Sequence, residues 1–365
     1  MNKSRTWRNI PAGLAFACCL AKTAAAATVV IYAAADLQVI EPLIVDFEQT
    51  HPQIKVEYHD LQTTELFTRF LSEAGPGSKA DIVWSSAMDL QMKLVNDGHA
   101  SPHRSDETLA LPSWAKWKDE AFGTTFEPVC FAYNRDLVAI DHVPQSHAEL
   151  ARFLKDHPER FRNRLATYDP HRSGLGYLLH SQDLEANPVV FWSLIQAMAR
   201  TGLSTEPTTT QMLDRIVSGK SELGYNVLCS YTQARANTDP RIGSVMPRDY
   251  TLVMSRIAFI SRHAPHPQEA RAWLDYILSR RGQTIMKLIG LHSVRTDVEG
   301  EASAASLRER LGKAFRPITL NTGLLTYVDR SKREIFLRQW DAALSSGGSG
   351  TIREPRKKPA ARSGR

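Results

Sequence analysis

The chain has 365 residues, 42% of them apolar and 23% charged, which is ordinary globular composition and too much length for one typical core. Its formal net charge of +6 excludes less than it suggests, because the first 27 residues carry +4 and the stretch from Ser345 onward carries +5. The body between them is net −3, which argues against nucleic acid as its partner.

Residues 1–27 read as a secretory signal. Lys3, Arg5 and Arg8 make a positive start, Ala12 to Leu20 is an apolar run too short to span a bilayer, and Ala24 to Ala27 are the small residues a signal peptidase needs. The mature chain is expected to begin near Thr28, exported to the periplasm and without a later membrane span. Cys18 and Cys19 raise a lipoprotein alternative, which Ala15-Phe16-Ala17 before them fits poorly. Cys130 and Cys229 remain after cleavage, either bridged or as two buried free thiols.

The mature chain opens with alternating strand and helix. TVVIYAA (28–34) is a short apolar strand. Asp36 can cap a helix whose Ile40, Leu43, Ile44 and Phe47 fall on one face. QIKVEYHD is a second strand, followed by a helix capped at Thr63 or Thr64. DIVWSS then runs straight from strand into helix, with no glycine-rich loop at the turn. This βαβαβα order implies a parallel sheet with right-handed crossovers.

Further on, TTFEPVCFAYN (124–134) is extended around a proline and predicts an edge or crossing strand. Ser146 opens a helix. RLATYDP is a strand, and Ser173-Gly174 starts the next helix. GYNVL is a strand leading to a helix start near Ser230. DYTLVMSRIAFI (249–260) reads as one long apolar strand, and the last third is helical. The segment from Ser345 is Gly/Ser/Pro-rich and basic, predicting a disordered tail.

Several strand-to-helix junctions share one design: Ala35-Asp36, Ser85-Ser86, Ser173-Gly174 and Asn226 to Ser230. In an open α/β sheet such turns lie where ligands bind, and a helix start offers unpaired N–H groups and partial positive charge to an anion. The alternative at each single junction is plain N-capping. No nucleophile elbow, zinc-protease, P-loop or C-x-x-C motif is present, so the reading is not an enzyme, with no cofactor and no metal.

The order VVIYAAAD, HPQIKVEYHD, ADIVWSSAMDLQMKLVNDG, FEPVCFAYNRDLV, GYNVL, PRDYTLVMSRIAFI and HPQEARAWLDYILS resembles the extracellular solute-binding proteins of ABC importers. Within them it is similar to the receptors for ferric iron, sugar phosphates and phosphoglycerate, over nearly all of residues 28 to 340. The resemblance implies an α/β, type II periplasmic-binding-protein fold: two parallel-sheet lobes joined by crossing hinge strands, monomeric, closing on a ligand.

Residues 28–125 would begin lobe 1, residues 126–252 would form lobe 2, and residues 253–344 would return to lobe 1 and end in helices. Ser85 and Ser86 would then face Arg172, Ser173 and Gly174 across the cleft. Iron-binding members carry adjacent tyrosines where this chain has Tyr225-Asn226, one phenol and a neutral amide, which moves ferric iron to second place. A phosphate ester or organic acid suits Ser85, Ser86, Thr124, Thr125, Ser173 and the arginines 172, 248 or 256. Asp36, Glu127 and Asp249 suit ligand hydroxyls. The expected partner is an ABC permease, or a sensor kinase if the protein is a sensing adaptor.

Overall fold

The computed structural model describes residues 27–300 and 303–347. The predicted signal segment, with Cys18 and Cys19, and the tail beyond Gly347 lie outside the described residues. Fourteen strands occur among the described residues. In chain order they are β1 (Ala27–Ala33), β2 (Ile54–Asp60), β3 (Ile82–Ser85), β4 (Ala100–Ser101), β5 (Lys116–Trp117), β6 (Ala121–Gly123) and β7 (Glu127–Asn134). There follow β8 (Leu165–Tyr168), β9 (Ser204–Glu206), β10 (Leu223–Leu228), β11 (Ile242–Val245), β12 (Thr251–Met254), β13 (Ile257–Ser261) and β14 (Phe315–Pro317).

They make two sheets. The first runs β2-β1-β3-β13-β6-β5, with β4 also on β13. The second runs β14-β12-β7-β10-β8-β9, with β11 also on β7. As the opening alternation implied, β1 is parallel to β2 and β3. The helix Leu37–Thr50 buries Ile40, Leu43 and Phe47 against this sheet, the same face its spacing predicts. The second lobe closes over Phe131, Leu154, Phe161, Leu194 and Tyr225.

The chain passes between sheets three times: at two adjacent places, from β6 to β7 and from β12 to β13, and once more through the helices that lead from β13 to β14. TTFEPVCFAYN is thus a crossing segment, and β7 then lies centrally, paired with β10, β11 and β12 rather than at an edge. Pro128 is tolerated because it sits near the start of β7. DYTLVMSRIAFI is not one strand: Ser255 and Arg256 interrupt it as it changes sheets.

The two crossings are pinned to each other. Thr124 N donates to Arg256 O at 2.8 Å, Thr124 Oγ1 to the same oxygen at 3.0 Å, and Arg256 N to Thr125 Oγ1 at 2.9 Å. Residues 315–347, which the sequence reading grouped with the return segment, lie mostly against the second sheet: β14 pairs with β12, and Phe336 and Trp340 of the helix Arg330–Gly347 enter the second lobe's core. Cys130 and Cys229 are both buried and free.

Candidate functional site

Six helices start at the seam between the sheets. They are Leu37–Thr50, Thr63–Glu73 and Met88–Asn96 from the first lobe, and Gly174–Ala186, Thr209–Val217 and Cys229–Ala236 from the second. A cavity of about 50 Å³ is lined by residues at all six starts, among them Asp36, Thr63, Ser86, Ser173, Thr209 and Leu228. One water-sized group needs about 10–15 Å³, so the space holds only a few. Each start brings roughly half a unit of positive charge.

Arg256 enters this cavity from the hinge. It is 2% exposed, and Glu127 behind it is fully buried. Nε donates to Glu127 Oε1 at 2.9 Å, one terminal nitrogen to Glu127 Oε2 at 3.4 Å and the other to Ala34 O at 2.7 Å. Glu127 also accepts from Thr125 at 2.8 Å and Ser230 at 2.6 Å, so it is a saturated counter-ion. A guanidinium has five N–H groups. Three are committed, leaving two for whatever fills the cleft.

The lobes already touch across the cavity. Thr63 Oγ1 accepts from Gly174 N at 2.8 Å. Asp36 does not cap its own helix. Asp60 Oδ2 accepts from Leu37 N instead, at 2.9 Å, and Asp36 reaches across to Thr210 Oγ1 at 2.8 Å and Tyr231 OH at 3.3 Å. Tyr168 and Thr209 hydroxyls are hydrogen-bonded at the second lobe's wall.

The structure places the sequence-predicted residues in three groups. Asp36, Ser86 and Ser173 line the cavity. Ser173 also caps its helix, accepting from Gly176 N at 3.0 Å, whereas Ser86 has no hydrogen bond of its hydroxyl among the described residues. Gly174 sits at the lobe contact. Ser85, Thr124, Thr125 and Glu127 stand one layer behind: Ser85 accepts from Ala87 N at 3.2 Å, Thr124 accepts from Trp84 Nε1 at 2.8 Å, and the other two support Arg256.

Tyr225, Asn226, Asp249 and Arg172 are not brought to this cavity. Tyr225 OH and Asn226 Nδ2 both donate at 2.6 Å to the buried Asp183, inside the second lobe. Asn226 points there because a bulge in β10 holds it at φ +61°, which asparagine tolerates. Asp249 binds His147 Nδ1 at 2.9 Å, and Arg172 is exposed. Sequence reasoning missed Thr63 as a cross-lobe acceptor, and also Tyr168, Thr208 to Thr210 and Tyr231. Their signals were a strand ending in Tyr168 and a run of threonines opening a helix, both readable as core and cap. Among the described residues no three His, Cys, Asp or Glu side chains are grouped to hold a metal ion.

Residues 29–291 match the model of the bacterial extracellular solute-binding protein family. The chain belongs to this family. It is 37% identical to the substrate-binding protein of an ABC transporter from Agrobacterium tumefaciens, covering 89% of this chain and 96% of that one, with a TM-score of 0.85. It shares its fold with the periplasmic binding protein AfuA of Actinobacillus pleuropneumoniae: 15% identity, 87% and 99% coverage, TM-score 0.71. It shares it also with a ferric binding protein from Campylobacter jejuni, at 19% identity, 86% and 99% coverage and a TM-score of 0.66. A comparison with curated protein sequences returns no match. The protein is a solute-binding receptor of an ABC transporter, with the two-lobed fold that the crossing strands and paired sheets had already outlined. No helix among the described residues is long and apolar enough to cross a membrane.

Proposed function

We propose that this receptor captures a small anionic organic molecule, a phosphate ester or organic acid, between its lobes, and passes it from the periplasm to an ABC permease. The observation that carries the reading is Arg256: a buried guanidinium in the cleft with two N–H groups uncommitted, ringed by six helix starts. Ser86 and Ser173 supply hydroxyl donors beside it. The AfuA structure, with fructose-6-phosphate bound, supports a phosphate ester by analogy. The predicted leader and the family together support export.

Ferric-binding relatives favour iron as the second reading. Against it, Tyr225 is turned away from the cavity, and burial pushes the cleft phenol Tyr231 up to about 12, away from the phenolate that iron binds. Thermal shift on residues 28–365 tests the choice, using sugar phosphates, phosphoglycerates, dicarboxylates and Fe³⁺. An anion at a hundredfold excess over Kd should stabilise by about 2.7 kcal/mol. A shift with Fe³⁺ alone would replace the anion reading by iron.

A further inference from the structure

Building on the reading of Arg256 as an anion site, we infer that the ligand also carries a primary ammonium group, so that the receptor takes a short zwitterion: an amino-alkyl phosphate or phosphonate, or an amino acid of similar length. The inference comes from the charge of the cavity wall. Arg256 is the only cation among the cavity-lining residues, and Glu127 already neutralises it. Asp36 and Asp60 line the same space with no cationic side chain bonded to either. Burial first, and then Asp36, pushes the Asp60 carboxyl above its ordinary range, with the bond from Leu37 N and then Arg256 opposing.

Asp36 carries a further sign of a task beyond its own helix. It occupies the N-cap position of Leu37–Thr50 but makes no capping bond, and Asp60 serves Leu37 N in its place. Asp36 instead extends toward the second lobe, where Thr210 and Tyr231 hold it. Each carboxylate oxygen keeps acceptor capacity after those bonds. A bare dianion would close against two carboxylates that no cationic side chain offsets. Ligand hydroxyls would give them hydrogen bonds and leave their charge in place. An ammonium at the far end from the anion supplies both donors and the opposite charge. The small cavity sets the length at a few heavy atoms between the two ends.

Two isosteric pairs test this by calorimetric titration of the full mature chain at pH 7. One is O-phosphoethanolamine against 2-hydroxyethyl phosphate, and the other is 4-aminobutanoate against 4-hydroxybutanoate. In the pair whose anion fits, the amine should bind about tenfold or more tightly, the worth of one charge-assisted hydrogen bond. Asp60→Asn and Asp36→Asn should each narrow that ratio to within about threefold, with circular dichroism and melts confirming the fold. Asp60 is more exposed than Asp36, so its variant keeps the test alive if Asp36→Asn fails to fold. Equal binding of amine and alcohol would overturn the ammonium while leaving the anion site standing. Ethanolamine binding as well as O-phosphoethanolamine would overturn the anion site itself. Binding by none of these would overturn both.

Discussion

Thr63 Oγ1 and Gly174 N meet across the cleft at 2.8 Å, so a hydroxyl from the first lobe caps a helix of the second. The contact needs a bare α-carbon. A Cβ on Gly174 would stand 2.8 Å from Leu90 Cδ1, 3.2 Å from Thr63 Oγ1 and 3.3 Å from Ala87 Cβ. Gly174→Ala should therefore hinder closure while sparing each lobe. Overpacking costs about 1–3 kcal/mol, so affinity should fall by about tenfold or more. X-ray scattering with saturating ligand should show an expanded particle relative to wild type. A compact particle with unchanged affinity would contradict this.

The Glu127–Arg256 pair makes a separable prediction. Glu127→Ala leaves a buried guanidinium without its counter-ion and should cost about 3–5 kcal/mol in denaturant melts. Glu127→Gln keeps one acceptor oxygen for Arg256 and should cost less. Arg256→Ala should abolish ligand binding at every ligand concentration a titration can reach.

Asp89 should give the protein a distinctive pH profile. It is fully buried in the first turn of Met88–Asn96, and neither carboxyl oxygen has a hydrogen bond of good geometry among the described residues. Burial raises its pKa from 3.8 to about 7, with the neighbouring Leu90 backbone N–H and then Arg333 partly opposing. The folded state thus binds the proton more tightly than the unfolded state. This group favours folding most below about pH 4, loses that contribution progressively up to about pH 7, and is flat above. The shift is roughly three pH units at about 1.4 kcal/mol each, an upper bound near 4 kcal/mol. Asp89→Asn should stabilise the protein at pH 8 by about 1–3 kcal/mol and do little at pH 4. Melts showing equal effects at both pH values would count against it.

Cys130 and Cys229 should behave as inert thiols. Burial first, and then Cys130, raises the Cys229 thiol well above its ordinary value. A thiol reagent at pH 8 should leave the folded mature chain unlabelled and label two sites once it is unfolded. No labelling in denaturant without reductant would reveal a disulfide.

Much of the architecture was legible because period and punctuation are local properties. Ile40, Leu43 and Phe47 face the core as their spacing requires, and Ser146 caps its helix as its position suggests. The crossing at Thr124–Asn134 was marked by Pro128. What could not be read was direction. Ser85 and Ser86 are neighbours of one kind, yet one bonds its own turn and the other faces the cavity. Tyr225-Asn226 looked like a ligand pair until a bulge in β10 turned both toward Asp183. Asp36 looked like a cap and is not one. Such choices depend on what the opposite lobe presents, and strand or helix periodicity carries no record of that.

The seat of Arg256 limits how this receptor can be given a new ligand. Its side chain ties Glu127 of one crossing to Ala34 of the first lobe and, on the reading proposed above, also meets the ligand's anion, so recognition and flexure would share one side chain. Re-engineering at that position would alter the joint as well as the taste of the cleft. Thr208 and Thr209 carry no such double duty: they open a helix of the second lobe and reach the cavity, and among the described residues their hydroxyls bond only Gln211 N and Tyr168 within that lobe. A library confined to those two threonines should yield altered ligand preference with the closing motion preserved, whereas a library at Arg256 should return mostly proteins that no longer shut.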